Sequence, residues 1–163
     1  KKHNSNLYNI ILHLSRNIFF YKNIMLKDNF QTRIYLMFFH FSVILVVAKK
    51  KKIKFDQSEY DKFFNSIEYN LRELGYGDVS VNSKMKDFNK VFYDILLKIE
   101  SNKKSTKDNF VLNKKLVIKY FQDFNSLNNS IFEEFQLYFN NFFNFCFELN
   151  PKNMIKDIKN FKF

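Results

Sequence analysis

The scarcity of chain-breaking residues constrains this fold more than any other sequence feature. The 163 residues include two glycines and one proline. Tight hairpins and Gly-rich loops depend on glycine, and proline commonly marks turns. Long stretches without either residue favour helices, and the hydrophobic fraction of 46% is enough to form a buried core. The sequence therefore predicts an all-α fold, a single-domain bundle of about six helices over residues 1–163.

Apolar residues recur at helical spacing along most of the chain, and polar residues mark the predicted helix starts. The predicted N-caps are Ser5, Asp56 with Glu59 in a capping box, and Ser83. The apolar positions that mark helices are Leu7, Ile10, Ile11, Leu14 and Ile18; Tyr60, Phe63, Phe64, Ile67, Leu71 and Leu74; Met85, Phe88, Phe92, Ile95 and Ile99; and Leu112, Leu116, Tyr120 and Phe124.

The run from Ile34 to Ala48 is apolar almost throughout, with Arg33 before it and Lys49 to Lys52 after it. A helix of that length extends about 22 Å, short of the roughly 30 Å of bilayer hydrocarbon. His40 and Ser42 also lie near its middle. These features favour a buried central helix, with membrane insertion as the alternative. The lysine run is typical of a solvated helix end and also suits an anionic membrane surface.

A last predicted helix, from Ile131 to Phe147, is unusually rich in phenylalanine. Most of these rings share one broad face, which is typical of a core helix. An exposed apolar groove for a partner is the alternative. Pro151 then ends the helix, and a short basic tail follows.

The chain is strongly basic, with 27 Lys and Arg against 16 Asp and Glu, a formal net charge of +11. Such a charge suggests an anionic partner. The abundance of Lys, Asn, Ile and Phe is also what an AT-rich genome produces. No nucleic-acid-binding motif accompanies the charge, so specific nucleic-acid recognition is not predicted.

The sequence lacks the patterns that carry catalysis or metal binding. The histidines His3, His13 and His40 form no metal-binding spacing with each other or with Cys146, which we expect to be a small buried hydrophobe. Nucleophile-elbow, phosphate-loop and dinucleotide-binding signatures are missing. We therefore expect a binding protein, not an enzyme, with no cofactor. His40 is interpreted as a hydrogen-bonded core residue, and a haem carrier using His40 is the alternative.

Both glycines lie in the octapeptide from Leu71 to Asp78. Gly75 is predicted to end a helix with a positive φ, and Gly77 to allow a sharp turn into a compact loop at residues 76–82. Asp78 is expected to accept backbone N–H bonds. Arg72 and Glu73 are expected either to tie this corner to neighbouring helices or to form a client-facing surface. A phosphate cradle would need a third glycine and a preceding strand, which are missing.

The run from Asn70 to Val81 resembles the signature of the ubiquinol–cytochrome c chaperone family, whose members assist assembly of the cytochrome bc1 complex. The resemblance is strongest over residues 7–100 and weaker over 101–163. Asn17, Thr32 and Tyr35 depart from the family's Pro, Gly and Asp. The signature or partner-binding candidates are Arg16, Tyr21, Arg33, His40, Arg72, Glu73, Gly75, Gly77, Asp78 and Tyr93.

The resemblance implies that the protein holds newly made cytochrome b during assembly of the complex. Its further implied partners are the ribosome and an anionic membrane surface. The implied location is peripheral to the inner membrane, on the cytoplasmic side in a bacterium or the matrix side in a mitochondrion. The rival interpretation is a basic membrane-associated or ribosome-binding helical protein of another purpose. The sequence does not specify an oligomeric state.

Overall fold

The computed structural model describes residues 6–102, 105–106, 109–121 and 129–163. Within these ranges the regular structure is helical, apart from an isolated antiparallel bridge between Thr106 and Asn109, which confirms the all-α prediction. The helices are α1 (Asn6–Ser15), α2 (Phe19–Lys22), α3 (Phe30–Lys50), α4 (Gln57–Glu73), α5 (Asp78–Glu100), α6 (Lys114–Tyr120), α7 (Asn129–Glu148) and α8 (Met154–Asp157), with short 3₁₀ turns at Pro151–Asn153 and Ile158–Asn160. Ser5, Phe124 and part of the predicted polar linker at 101–108 lie outside the described residues.

Helix α3 is the centre of the bundle and packs against α1, α5 and α7. It has 21 residues and so extends about 31 Å, which removes the length argument against a membrane span. In the described part of the chain it is the one helix long and apolar enough to cross a bilayer. Its apolar stretch is nevertheless buried by the other helices from Leu36 to Ile44, on all sides. The predicted buried central helix is therefore confirmed.

The extra length of α3 comes from four residues at its start and two lysines at its end, all polar except Phe30. Asn29 caps its start by accepting a hydrogen bond from the Thr32 amide at 2.8 Å. At the other end Lys52 has a φ of 58°, and the Ile53 amide donates to the Ala48 carbonyl at 2.8 Å. The bond from Ile53 to Ala48 belongs to a Schellman motif, in which Lys52 occupies the position that usually holds glycine.

The lysine run at the C-terminal end of α3 makes contacts inside the molecule. The Lys51 ammonium donates to the backbone carbonyls of Phe147 at 2.6 Å and Leu149 at 2.7 Å, and so caps the end of α7. Lys49 pairs with Glu100 on α5 at 3.0 Å. The run is therefore more than a solvated helix end, because it fastens α3 to two neighbouring helices.

The phenylalanines of α7 form core. Phe135, Phe139, Phe142 and Phe143 are completely buried. Phe145 is half-buried against Phe161 of the C-terminal segment, with ring centroids 5.4 Å apart. The core interpretation of this helix is confirmed, and the alternative of a Phe-lined exposed groove is wrong for the described residues.

Two side-chain clusters attach the segment before α6 and α6 itself to the bundle. Gln136 on α7 accepts from the Leu112 amide at 2.6 Å and donates to the Phe110 carbonyl. Asp94 on α5 accepts from Lys98 at 2.8 Å, Lys119 at 2.9 Å and the Tyr120 hydroxyl. Burial raises the pKa of the Asp94 carboxyl, but these three donors outweigh burial and hold that pKa well below its ordinary value.

Candidate functional site

The corner between α4 and α5 is built on Gly75. This residue has a φ of 99°, a conformation that residues with a Cβ rarely adopt. The Gly75 amide donates to the Arg72 carbonyl at 3.0 Å, and the Tyr76 amide donates to the Leu71 carbonyl at 3.3 Å. Together these bonds form a Schellman motif, so the predicted role of Gly75 in ending the helix is confirmed.

Gly77 has a different role from the predicted one. Its φ of −77° and ψ of 172° are open to any residue, and a Cβ built on it would meet nothing within 4 Å. It is the N-cap of α5, which begins at Asp78. The predicted loop at 76–82 and the predicted cap at Ser83 are therefore wrong, because the glycine starts the helix earlier.

Arg72 locks the corner from its outer side. Its guanidinium donates to Glu68 within α4 at 3.2 Å and to Asp78 at the start of α5. Asp78 also lies in the first turn of α5, where the helix dipole favours a negative charge. Arg72 thus ties the two helices as expected, whereas the Asp78 carboxylate is bonded to Arg72 and not to the backbone amides that were predicted.

A surface cleft beside this corner brings together residues that are distant in the sequence. Arg16 follows α1, Arg33 lies in the first turn of α3, and Glu73 ends α4. The cleft has a volume of about 310 Å³. We call it the signature cleft, and its lining residues are Tyr8, Leu12, Arg16, Phe30, Arg33, Asn70, Glu73 and Leu74.

The signature cleft combines apolar side chains with charges of both signs. Arg33 pairs with Asp28 at 2.8 Å, whereas Arg16 has no salt bridge to any described residue. The Asn70 amide donates to the Tyr8 hydroxyl at the cleft wall. Burial raises the pKa of Tyr8, and Asn70, Arg16 and Arg33 partly offset that rise. The cleft can therefore hold an apolar side chain while offering Arg16 to an acidic group.

Tyr21 supports the signature cleft from the side. Its hydroxyl donates to the Ser15 carbonyl at 2.9 Å, one residue before Arg16. Burial and the nearby Asp28 raise the pKa of Tyr21 to about 12, although Arg33 and Arg16 oppose that rise. Tyr21 is therefore close enough to both arginines for their positive charges to affect its pKa. It does not line the cleft.

His40 lies in the core and does not line the signature cleft. One ring nitrogen donates to the Leu36 carbonyl at 2.7 Å, and the other accepts from the Tyr138 hydroxyl at 2.7 Å. Complete burial lowers the pKa of His40 to about 3, although the bond to Leu36 opposes that change. Ser15 also lies 3.3 Å from the ring. The structure places His40 as a neutral, hydrogen-bonded core residue with neither nitrogen free for a metal.

Tyr93 lies away from the signature cleft. It is exposed on α5, and the hydroxyl of Tyr60 donates to its hydroxyl at 3.2 Å. The structure therefore brings Arg16, Arg33 and Glu73 together in the cleft. The adjoining corner holds Arg72, Gly75, Gly77 and Asp78. Tyr93 belongs to neither place.

Sequence reasoning missed the apolar surface at the corner. Leu74, Tyr76 and Val79 are 60%, 41% and 85% exposed. Leu74 continues the apolar stripe of α4 in the sequence, but it is the C-cap of that helix and lines the signature cleft outside the core. The exposure of Tyr76 and Val79 could have been suspected from their position beside Gly75 and Gly77, since short corners lie at the surface.

No group of three or more potential metal ligands occurs in the residues that the structure describes. Cys146 is fully buried, and burial raises the pKa of its thiol, which keeps the sulfur protonated and unreactive. What the site offers is therefore a shaped surface of apolar groups and charges, which is suited to binding.

A comparison with family models matches residues 22–129 to the ubiquinol–cytochrome c chaperone family. No curated protein and no solved structure matches the chain. The matched range contains Arg33, Glu73 and the whole glycine corner, whereas Arg16 and Tyr21 precede it. Since the match spans more than half of the chain, the protein belongs to the ubiquinol–cytochrome c chaperone family.

Proposed function

We propose that this protein binds newly made cytochrome b and assists its assembly into the cytochrome bc1 complex, using the signature cleft and the adjoining corner. Family membership supports a chaperone role in the assembly of ubiquinol–cytochrome c reductase. The observation that carries the proposal is the meeting of Arg16, Arg33 and Glu73 in one cleft beside the exposed Leu74.

The chemistry of the cleft fits a protein segment as its ligand. Leu12, Phe30 and Leu74 offer apolar contact, and Arg16 offers a charge that has no partner among the described residues. A short apolar segment with an acidic residue beside it would contact the apolar side chains and pair with Arg16. Such a mixed surface is typical of transient protein interfaces, which combine an apolar centre with a polar rim.

The corner would make the same surface rigid. The Schellman motif at Gly75 and the Arg72 bonds to Glu68 and Asp78 fix the positions of Leu74 and Tyr76 before a client arrives. A preorganised surface loses less conformational entropy on binding. The phenylalanines of α7, which are buried, have no part in this proposal.

The proposed role needs no catalytic group or cofactor, so we propose a non-enzymatic chaperone. The further proposed partners are the ribosome and an anionic membrane surface. We place the protein at the periphery of the inner membrane, on the cytoplasmic side in a bacterium or on the matrix side in a mitochondrion. The buried state of α3 supports peripheral over integral association.

The proposal is tested by replacing Leu74 with serine in the native cell. Leu97 on α5 is a matched control, because the two leucines are 60% and 59% exposed. We expect Leu74→Ser to lower the amount of assembled complex, measured by native gel electrophoresis and by the cytochrome b absorbance band. Leu97→Ser should leave both unchanged. Equal effects of the two substitutions, with both proteins folded and equally abundant, would overturn the proposal.

The second candidate function is a basic ribosome-binding or membrane-associated protein of another purpose, which the net charge of +11 favours. It predicts normal bc1 assembly in the Leu74→Ser strain. It also predicts that the purified protein binds ribosomes or membranes with an affinity that falls steeply with salt and is unaffected by Leu74→Ser.

A further inference from the structure

A second cleft lies where the end of α1 meets the C-terminal segment. It has a volume of about 260 Å³ and is here called the C-terminal cleft. Its lining residues are His13, Leu14, Arg16, Asn17, Phe161, Lys162 and Phe163. None of the described residues that line it has a carboxylate side chain, whereas Arg16 and Lys162 carry positive charges. Arg16 lines both this cleft and the signature cleft.

The segment that forms one wall of the C-terminal cleft is itself basic. Residues 151–163 contain a single acidic residue, Asp157, and the lysines Lys152, Lys156, Lys159 and Lys162. These lysines make no salt bridge with any described residue. Lys159 is exposed in the 3₁₀ turn that packs against α1, two residues before Phe161 of the cleft wall. The positive charge of this face is thus available to an external anion.

Exposed apolar side chains accompany these charges. Phe163 at the cleft is 45% exposed, and Ile18, the residue after Asn17 of the cleft wall, is 60% exposed. The Phe163 ring is held by Phe19, with ring centroids 4.7 Å apart. A soluble anion would need only the cations, and a nucleic-acid base could stack on the Phe163 ring but would gain nothing comparable from the aliphatic Ile18. Cations beside protruding apolar side chains are instead typical of surfaces that lie on anionic bilayers.

We propose that this face docks onto an anionic phospholipid bilayer, with Lys159 and Lys162 among the headgroups and with Ile18 and Phe163 at the boundary of the acyl chains. The inference rests on the peripheral membrane location proposed above and names the surface that would make the contact. The signature cleft, which adjoins it through Arg16, would then face a client at the membrane.

The test is co-sedimentation of the purified protein with vesicles, in the absence of any client. One set contains phosphatidylcholine alone, and the other contains equimolar phosphatidylcholine and phosphatidylglycerol. We expect binding to the second set alone. Lys159→Glu together with Lys162→Glu should weaken that binding by at least roughly tenfold, since each basic residue near an anionic surface contributes several-fold. The matched control is Lys86→Glu with Lys90→Glu on α5, both exposed, which should retain most of the affinity.

The apolar half of the proposal is tested by Ile18→Ser, which leaves the charge unchanged. We expect a several-fold loss of vesicle binding with the circular dichroism spectrum preserved, because the side chain is mostly exposed. No vesicle binding, an equal loss for both lysine pairs, or full competition by free inorganic phosphate would overturn the docking surface. Since the assay contains no cytochrome b, its failure would leave the Leu74 result, and the client proposal, standing.

Discussion

Single residues decide the geometry of the corner that carries the family signature. The two glycines are separated by one residue, yet of the two Gly75 alone has a positive φ. Gly77 is a helix cap with open space where a Cβ would be. The position of Gly75 after the apolar stripe of α4 predicted its positive φ, whereas the ordinary dihedrals of Gly77 follow from where α5 begins, which the sequence did not reveal.

Substitution of the two glycines should therefore give unequal results. Gly75→Ala should lower the free energy of unfolding by about 1–2 kcal/mol, because a side chain is strained at positive φ. Gly77→Ala should cost roughly 1 kcal/mol or less, through the weaker capping of alanine. Urea denaturation of the two variants measures both values. A larger loss at Gly77 would mean that the corner is built differently.

His40 gives a pH-dependent prediction at the same scale. Its folded-state pKa of about 3 lies below the ordinary value of 6.5, so the unfolded chain takes up a proton that the folded chain excludes. The His40 contribution to stability is therefore complete above pH 6.5 and falls as the pH decreases toward 3. At pH 5 the loss should be about 2 kcal/mol relative to pH 7.

The measurement is the free energy of unfolding at pH 7 and pH 5 for the wild type and for His40→Gln, which cannot titrate. Both proteins share all other titrating groups, so the difference between their pH dependences isolates His40. Identical pH dependences would show that His40 is accessible to protons in the folded state.

At the scale of elements, side chains that reach from one helix to the end of another hold the bundle together. Lys51 is the clearest case, since it donates to two carbonyls at the end of α7. Those carbonyls would otherwise lack partners, as the last carbonyls of a helix do. The sequence showed a lysine run but not which lysine caps α7, because that depends on where α7 ends in the folded bundle.

Replacing Lys51 with methionine should lower the free energy of unfolding by about 1.5–3 kcal/mol, since the hydrogen bonds involve a charged donor and methionine keeps the apolar stem. Amide hydrogen exchange should also quicken at the C-terminal end of α7. The matched control is Lys50→Met, because Lys50 is exposed. Comparable destabilisation by the two substitutions would contradict the capping role of Lys51.

At the scale of the whole molecule, periodicity and glycine placement predicted the helical class, the central position of α3 and the core role of the α7 phenylalanines. These features follow from local pattern and burial, which a sequence displays directly. The extent of α3 was missed because its ends are polar residues held by Asn29 and by the unusual conformation of Lys52. The start of α5 was missed because Ser83 has the better capping side chain, although Gly77 holds the position.

The sequence predicted which residues belong to the candidate site but not how they are arranged in space. Resemblance to the family suggested Arg16, Arg33 and Glu73 individually. Their meeting in one cleft depends on how α1, α3 and α4 pack, which is a tertiary property. Leu74 carried no sequence signal of exposure, since it fits the buried stripe of its helix and is nevertheless exposed.

The central claim is that the surface at Leu74 contacts cytochrome b during assembly. A photo-crosslinking amino acid at position 74, in cells that synthesise the complex, tests this claim most directly, with position 97 as the control of equal exposure. We predict that position 74 captures newly made cytochrome b and position 97 does not. Reproducible capture of a different polypeptide at position 74, or equal capture of cytochrome b at both positions, would contradict the account.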